Sequence, residues 1–346
     1  TAVLLAVIGF TLRDRFFSGT QAEQKPVSVL VADFTNATSD PVFDGTLEPV
    51  VNVAMEGASF ITAYRRAQAR RIADQLKPGT KRLDETAARL VAVREGIAVV
   101  LTGSITSQGN SYGIALKALD SVTGKTIATR EVSEVPRESL MAEIGRLTAP
   151  IRSALGDSTP ESAQIAAAET FTTANLDAAH KYSVAQDLLD QGKSEEAIRD
   201  YLNAVQLDPK LGRAYAGLAV ASLNLKRRDQ AEEYYKQTLA LLDRMSERER
   251  YRTLGTYYSA YMHNYPQAIE AYRKLVFLFP GDGAGWNNLS IAQVFTLNIT
   301  EALAASRRAL EINPRSLQYR LNFALYSMYA GEFRNAGEQV ELERSE

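Results

Sequence analysis

Residues 195–209, EEAIRDYLNAVQLDP, read as one amphipathic helix stopped by Pro209, yet two small residues, Ala197 and Ala204, fall on the face that should be buried. Related stretches explain why. DQAEEYYKQTLALLD begins at Asp229, 34 residues after Glu195; PQAIEAYRKLVFLFP begins at Pro266, 37 further on; TEALAASRRALEINP begins at Thr300, another 34 on. In each copy the third position is small (Ala197, Ala231, Ala268, Ala302), and one turn later on the same face stands Tyr201, Tyr235, Tyr272 or Ser306. A helix wedged between two neighbours needs a methyl-sized gap where the axes cross and a bulky residue to fill the space beside it. The pattern predicts stacked helix pairs, each burying what its neighbour cannot bury alone.

The fixed positions of this repeat resemble the tetratricopeptide pattern, a 34-residue unit reading W-x2-L-G-x2-Y, then A-x3-F, then P. Trp286 and Leu289 fit its opening, and Pro209, Pro280 and Pro314 fit its end. The glycine after the leucine is replaced by Ala185, Ala219, Thr256, Ser290 and Ala324, and the second copy ends on Asp243. The units run 178–211, 212–245, 249–282 and 283–316, with an incomplete fifth from 317, so that 175–346 reads as an all-α array of about 4.5 repeats. The extra residues near RMSERERYR lengthen one turn, and Ser246 with Glu249 forms a capping box for the helix that follows. The array is expected to be truncated in its fifth repeat. The resemblance implies that the first helix of each repeat lines a concave groove, into which its second, fifth and ninth positions point. Those positions include Tyr182, Gln186, Arg213, Tyr257 and Asn287, and they imply a peptide or protein ligand. The Lys and Asn pairing that such arrays use to clamp a terminal carboxylate is absent from the first repeat, so a chaperone-tail ligand is not expected.

The amino-terminal half has a different period. With 346 residues, 45% apolar and 23% charged, the chain can bury two cores. VSVLVADF (27–34) reads as a buried strand running into the turn-rich TNATSDPVFDG; a helix over about Thr46–Glu56, a short strand SFITAY and helices around RRAQARRIADQL and DETAARLVAVREG follow. IAVVLTGSI, YGIALKALD and TIATREVS read as a three-stranded meander, and a helix over about Pro136–Leu155 covers it. The fold class is therefore an α/β or α+β mixed-sheet domain, 27–156, followed through a linker at 157–174 by the helical solenoid. The linker begins GDSTPESAQ and has no apolar period of its own, which predicts two separately folding halves. VSVLVADFTNATSDPVFDGTLEPVV, VLTGSI and YGIALKALDSVTGKTI are similar to the amino-terminal domain of TolB and its relatives, with Asp40, Asp44, Gly103, Ser104, Asp120, Thr123 and Gly124 at the motif positions. That resemblance implies a membrane-anchored bacterial regulator with a kinase or winged-helix output domain ahead of residue 1, the soluble part being extracytoplasmic.

TAVLLAVIGFTL carries no charge across its length and breaks into RDRFF, so 1–17 is expected to be the tail of a truncated single-pass transmembrane helix, joined by a polar linker at 18–26. The formal net charge of −2 argues against a chain-wide nucleic-acid footprint, and no nucleic-acid partner is expected. The dense basic cluster Arg65, Arg66, Arg70 and Arg71 reads either as phosphate-contacting or as a solvated helix face. With no cysteine, thiolate zinc sites and cysteine nucleophiles are excluded. His180 and His263 lie in different repeats without partner ligands at metal spacing. Asp40 and Asp44 suit turn and helix-cap roles better than a calcium loop. GDGAGW (281–286) lacks the Lys-Ser/Thr of a phosphate loop and reads as a repeat junction. Kinase motifs are missing, so no cofactor, metal or catalytic residue is expected. Two function classes remain: the interaction arm of a membrane signalling protein, and an envelope assembly or trafficking scaffold without signalling output.

Overall fold

The computed structural model describes residues 25–160, 163, 164, 173 and 175–345. The membrane segment expected at 1–17 lies outside them, as does most of the link at 18–26. Among the described residues no helix is long and apolar enough to cross a membrane.

The unbroken run Val29, Leu30, Val31, Ala32 is fully buried, because strand β1 (Val27–Val31) is covered on both faces. It pairs in parallel with β3 (Ile61–Ala63) on one side and β4 (Val99–Gln108) on the other. β4, β5 (Ser111–Asp120) and β6 (Thr126–Pro136) form the expected antiparallel meander, giving the order β3-β1-β4-β5-β6. One further strand escaped the sequence reading. β2 (Thr35–Ala37), inside the stretch read as a turn, pairs in parallel with β4 along the same edge as β1. Val31 faces Leu101 while Thr35 faces Ser104, so one extra residue is accommodated between β1 and β2, as in a bulge. The amides released there find other partners: Asp33 N donates to Leu83 O at 2.7 Å and Phe34 N to the buried Glu48 carboxylate at 2.8 Å. The tip of the Phe34 ring then stands against Gly103, where any Cβ would collide with it.

Helices α1 (Leu47–Met55) and α4 (Leu140–Ala154) cover one face of the sheet. α2 (Arg66–Leu76) and α3 (Glu85–Glu95) cover the other. The carboxy-terminal half is a run of antiparallel pairs: α5 (Leu176–Asp190) with α6 (Ser194–Leu207), α7 (Gly212–Asn224) with α8 (Arg228–Ala240), α9 (Glu247–Thr256) with α10 (Tyr265–Leu278), α11 (Gly283–Phe295) with α12 (Ile299–Ile312), and α13 (Leu317–Tyr329) with α14 (Phe333–Ser345). The register follows the sequence repeat. Ala197, Ala204, Ala231, Ala268 and Ala302 have no exposed surface, and Tyr201 is buried beside them. The capping box at α9 is formed, Glu249 N donating to Ser246 Oγ and Ser246 N to the Glu249 carboxylate, each at 3.2 Å. α9 continues through a wider π-type turn, Tyr257–Tyr261.

The two halves share packing. Leu176 and Ala179 of α5 are buried in the same core as Val51 and Met55 of α1 and Ile144 and Ile151 of α4. At the start of the stretch read as a linker, Asp157 is held by Arg152 at 2.5 and 2.8 Å, and Gln164 is 1% exposed. Both residues cover the end of α4 instead of spanning a gap.

Candidate protein-binding groove and the junction that fills it

Successive first helices of the repeats, α5, α7, α9, α11 and α13, form one face of the array. The expected groove residues lie on it in three separate groups. Tyr182, Gln186 and Arg213 are in contact: the Arg213 guanidinium lies over the Tyr182 ring at 5.0 Å, and the hydroxyls of Tyr182 and Tyr201 both donate to Gln186 Oε1, at 3.3 and 3.2 Å. Tyr257 belongs to a tyrosine cluster with Tyr235, Tyr258 and Tyr261, ring centroids 5.1–5.7 Å from its own. Asn287 is 2% exposed and accepts from Asn322 Nδ2 at 2.7 Å on the next first helix.

The amino-terminal end of this face is covered by the sheet half. Tyr182 and Arg213 line a crevice of about 30 Å3 together with Thr46, Pro49 and Val50 of α1 and its cap. Ser183 Oγ donates to Gly45 O at 2.5 Å, and His180 Nδ1 stands 2.8 Å from Thr46 Oγ1. That turn is shaped by the two aspartates singled out in the sequence. Asp40 accepts from Val42 N at 3.0 Å and pairs with Arg137 at 2.6 Å, while Asp44 accepts from Asn36 Nδ2 at 2.9 Å. Both therefore act in turns and caps. Of the basic cluster only Arg66 is buried, reaching Asp33 at 2.6 Å; Arg70, one-third exposed, bridges Asp33 and Asp187 of α5 at 3.0 and 2.7 Å, Arg65 meets Asp190 at 2.9 Å from an exposed position, and Arg71 is exposed. Burial raises the Asp33 carboxyl, but Arg70 and Arg66 outweigh it and hold it below the usual range.

The strongest contact lies at the middle of the array and was missed in the sequence. Arg252 of α9 grips Glu56, just beyond α1, through two hydrogen bonds of 2.8 and 3.1 Å, and its Nε donates to Asp282 at 2.8 Å. One turn earlier Arg248, 2% exposed, donates to the carbonyls of Ile61, Ala58 and Ser59 at 2.8–3.3 Å, with its guanidinium 4.5 Å above the Phe279 ring. Burial pushes the Glu56 carboxyl up, yet Arg252 and Arg248 overcome it and bring it down to about 2. Burial lowers Arg248 itself despite Glu56 and Asp282. The GDGAGW motif completes the junction. Gly281 N donates to Ser59 O at 3.3 Å, and a Cβ on Gly281 would stand 2.7 Å from Phe60 O. Asp282 caps α11 through Gly285 N at 2.8 Å. Further along, Arg315 hydrogen-bonds Arg94 O. The sheet half thus touches α5, α9, the start of α11 and the approach to α13. No signal in the sequence marked Arg248 and Arg252, because ERERYR (247–252) resembles any solvated helix.

The far end of the same face is open. Leu321 and Leu325 of α13, at the fifth and ninth positions of their repeat, are 56% and 40% exposed, and Met328 on the same stripe is 52% exposed. No cluster of His, Asp or Glu able to hold a metal exists among the described residues.

No curated protein matches the chain. Among solved structures, it is similar to MamA 41-end from Desulfovibrio magneticus RS-1, at 19% identity over 49% of this chain and 97% of that one, with a TM-score of 0.38. PilW, a widely conserved type IV pilus biogenesis factor, is 20% identical over 49% of this chain and 78% of its own, TM-score 0.44. The LpoB C-terminal domain from Salmonella enterica is 18% identical over 33% of this chain and 88% of its own, TM-score 0.27. Residues 182–244, from the first groove tyrosine through the second helix pair, match the tetratricopeptide repeat family model.

Proposed function

We propose that the chain is a protein-interaction scaffold whose groove is occupied at its amino-terminal end by its own sheet half and is open to a peptide or protein at its carboxy-terminal end. The observation carrying this reading is the contrast along one face: Tyr182 and Arg213 line a narrow crevice against α1, whereas Leu321, Leu325 and Met328 are uncovered. A peptide engaging the open end needs no rearrangement; one engaging Tyr182 and Arg213 must displace α1. The setting we favour is the interaction arm of a membrane-anchored signalling protein, with residues 27–156 as a TolB amino-terminal-like domain, and it rests on the sequence resemblance and the apolar stretch at 1–17.

Selection of displayed peptides against residues 25–345 tests the groove. Peptides enriched on the unaltered chain should lose most of their binding to a Leu321→Glu, Leu325→Glu variant, since truncating a hot-spot contact costs about 1–2 kcal/mol or more. The two leucines are exposed, so thermal stability should be unchanged. Equal capture by the stable variant would remove this end of the groove as the site. Glu56→Gln, which loosens the junction, should admit additional peptides sensitive to Tyr182→Ala.

A further inference from the structure

The junction between the halves is incompletely filled. Between α1, α4 and the amino end of α9 lies a cavity of about 300 Å3, walled by Val50, Val53, Ala54, Met141 and Phe279 and reached by Arg248. The cavity opens to solvent beside Gly57 and Glu247, both exposed. Apolar cavities of this size with a few polar groups, set where two folded units meet, are where small molecules bind. The volume is about twice the ~150 Å3 of an engineered cavity that takes up benzene, so it holds about ten to twelve non-hydrogen atoms.

The polar groups restrict the chemistry. Arg248 uses both terminal nitrogens on backbone carbonyls, and its Nε is buried without accessible surface, 3.8 Å from the Asp282 carboxylate, so it offers a ligand no reachable donor. The buried and half-buried carboxylates and Arg152 at the cavity already have opposites, Glu56 with Arg252, Arg152 with Asp157, and Glu249 with Arg213, while Glu247 stands on the exposed rim. A full charge on a ligand would be buried without a counter-charge. We infer that the cavity binds an uncharged, mainly aliphatic molecule of about ten to twelve non-hydrogen atoms. Both halves wall the cavity, so the ligand stabilises the docked arrangement. This site is separate from the groove and does not rest on the reading above.

The probes are 2-nonanone, which has the size and carries no charge; nonanoate, equal in length but charged; and butanone, which is too small. Applied to residues 25–345 at about ten times its dissociation constant, 2-nonanone should raise the melting midpoint by about 2–4 °C. Butanone should leave the midpoint unmoved, and nonanoate should bind at least about tenfold more weakly by calorimetry, as expected of a buried unpaired charge. Val53→Trp, filling the cavity from its half-buried rim, should abolish the shift; Val53→Phe serves if the larger side chain does not fold. Absence of a shift with 2-nonanone, or its persistence in a folded Val53 variant, overturns the site. Binding of nonanoate as tight as that of the ketone overturns the assigned chemistry.

Discussion

Tyr201 has no exposed surface, and its ring occupies the place that a side chain at Gly217 would need. Gly217 lies on α7, the first helix of the next repeat, so this contact joins two units. Adding a methyl there overfills a close-packed crossing, and Gly217→Ala should cost about 1–3 kcal/mol. Tyr201→Ala opens a cavity and should cost about 3–5 kcal/mol. In the Tyr201→Ala background the methyl meets empty space, so Gly217→Ala should then cost almost nothing. Denaturant unfolding of the four proteins closes the cycle, and simple addition of the two costs would refute the contact. The tyrosine and its small partner were legible from the sequence because each recurs at a fixed spacing. Glu56 and Arg248 recur nowhere, and a single buried ion pair carries no period by which to find it.

The elements follow the same logic, with α9 linking local chemistry to the junction. Ser246 and Glu249 cap its first turn, and that turn carries Arg248 into the sheet half. Ser246→Ala should cost about 0.5–2 kcal/mol, the usual worth of an N-cap. The loss should also be localised: amide exchange should accelerate in the first turn of α9 and at Ala58–Ile61, while α13 stays protected as before. Uniform acceleration along the array would mean that the cap acts on global stability alone. The capping box was visible in the sequence as S-x-x-E before a helical period. β2 was not, since three residues in a stretch of Thr, Asn, Ser and Asp have too little alternation to outweigh turn chemistry. The site was partly visible for the same reason. Periodicity pointed to the face bearing Tyr182 and Arg213 but said nothing about what covers it.

At the scale of the whole molecule, the halves are joined by an apolar core extending into α5 and by a charged junction on α9, and pH separates the two contributions. Glu56 is held at about 2 against an ordinary 4.5. A depressed carboxyl contributes stability that is fully present above its unfolded value and is lost as pH falls through the folded one. The junction should therefore be intact from neutrality down to about pH 4.5 and weaken progressively toward pH 2. Other carboxylates titrate over the same range, so a lone melting curve cannot isolate Glu56. Comparison with Glu56→Gln does, because glutamine keeps the shape, has no proton to gain and leaves Arg248 and Arg252 with less counter-charge. Near pH 7 the variant should be less stable by about 3–5 kcal/mol, the typical cost of removing one partner from a buried pair. As pH drops from 4.5 the unaltered protein loses the same interaction, and the two melting temperatures should converge. The apolar contacts of Leu176 and Ala179 do not titrate, so the halves should stay associated after the gap closes. A gap that stays constant down to pH 3 would show that the Glu56 carboxylate does not hold the sheet half on the array.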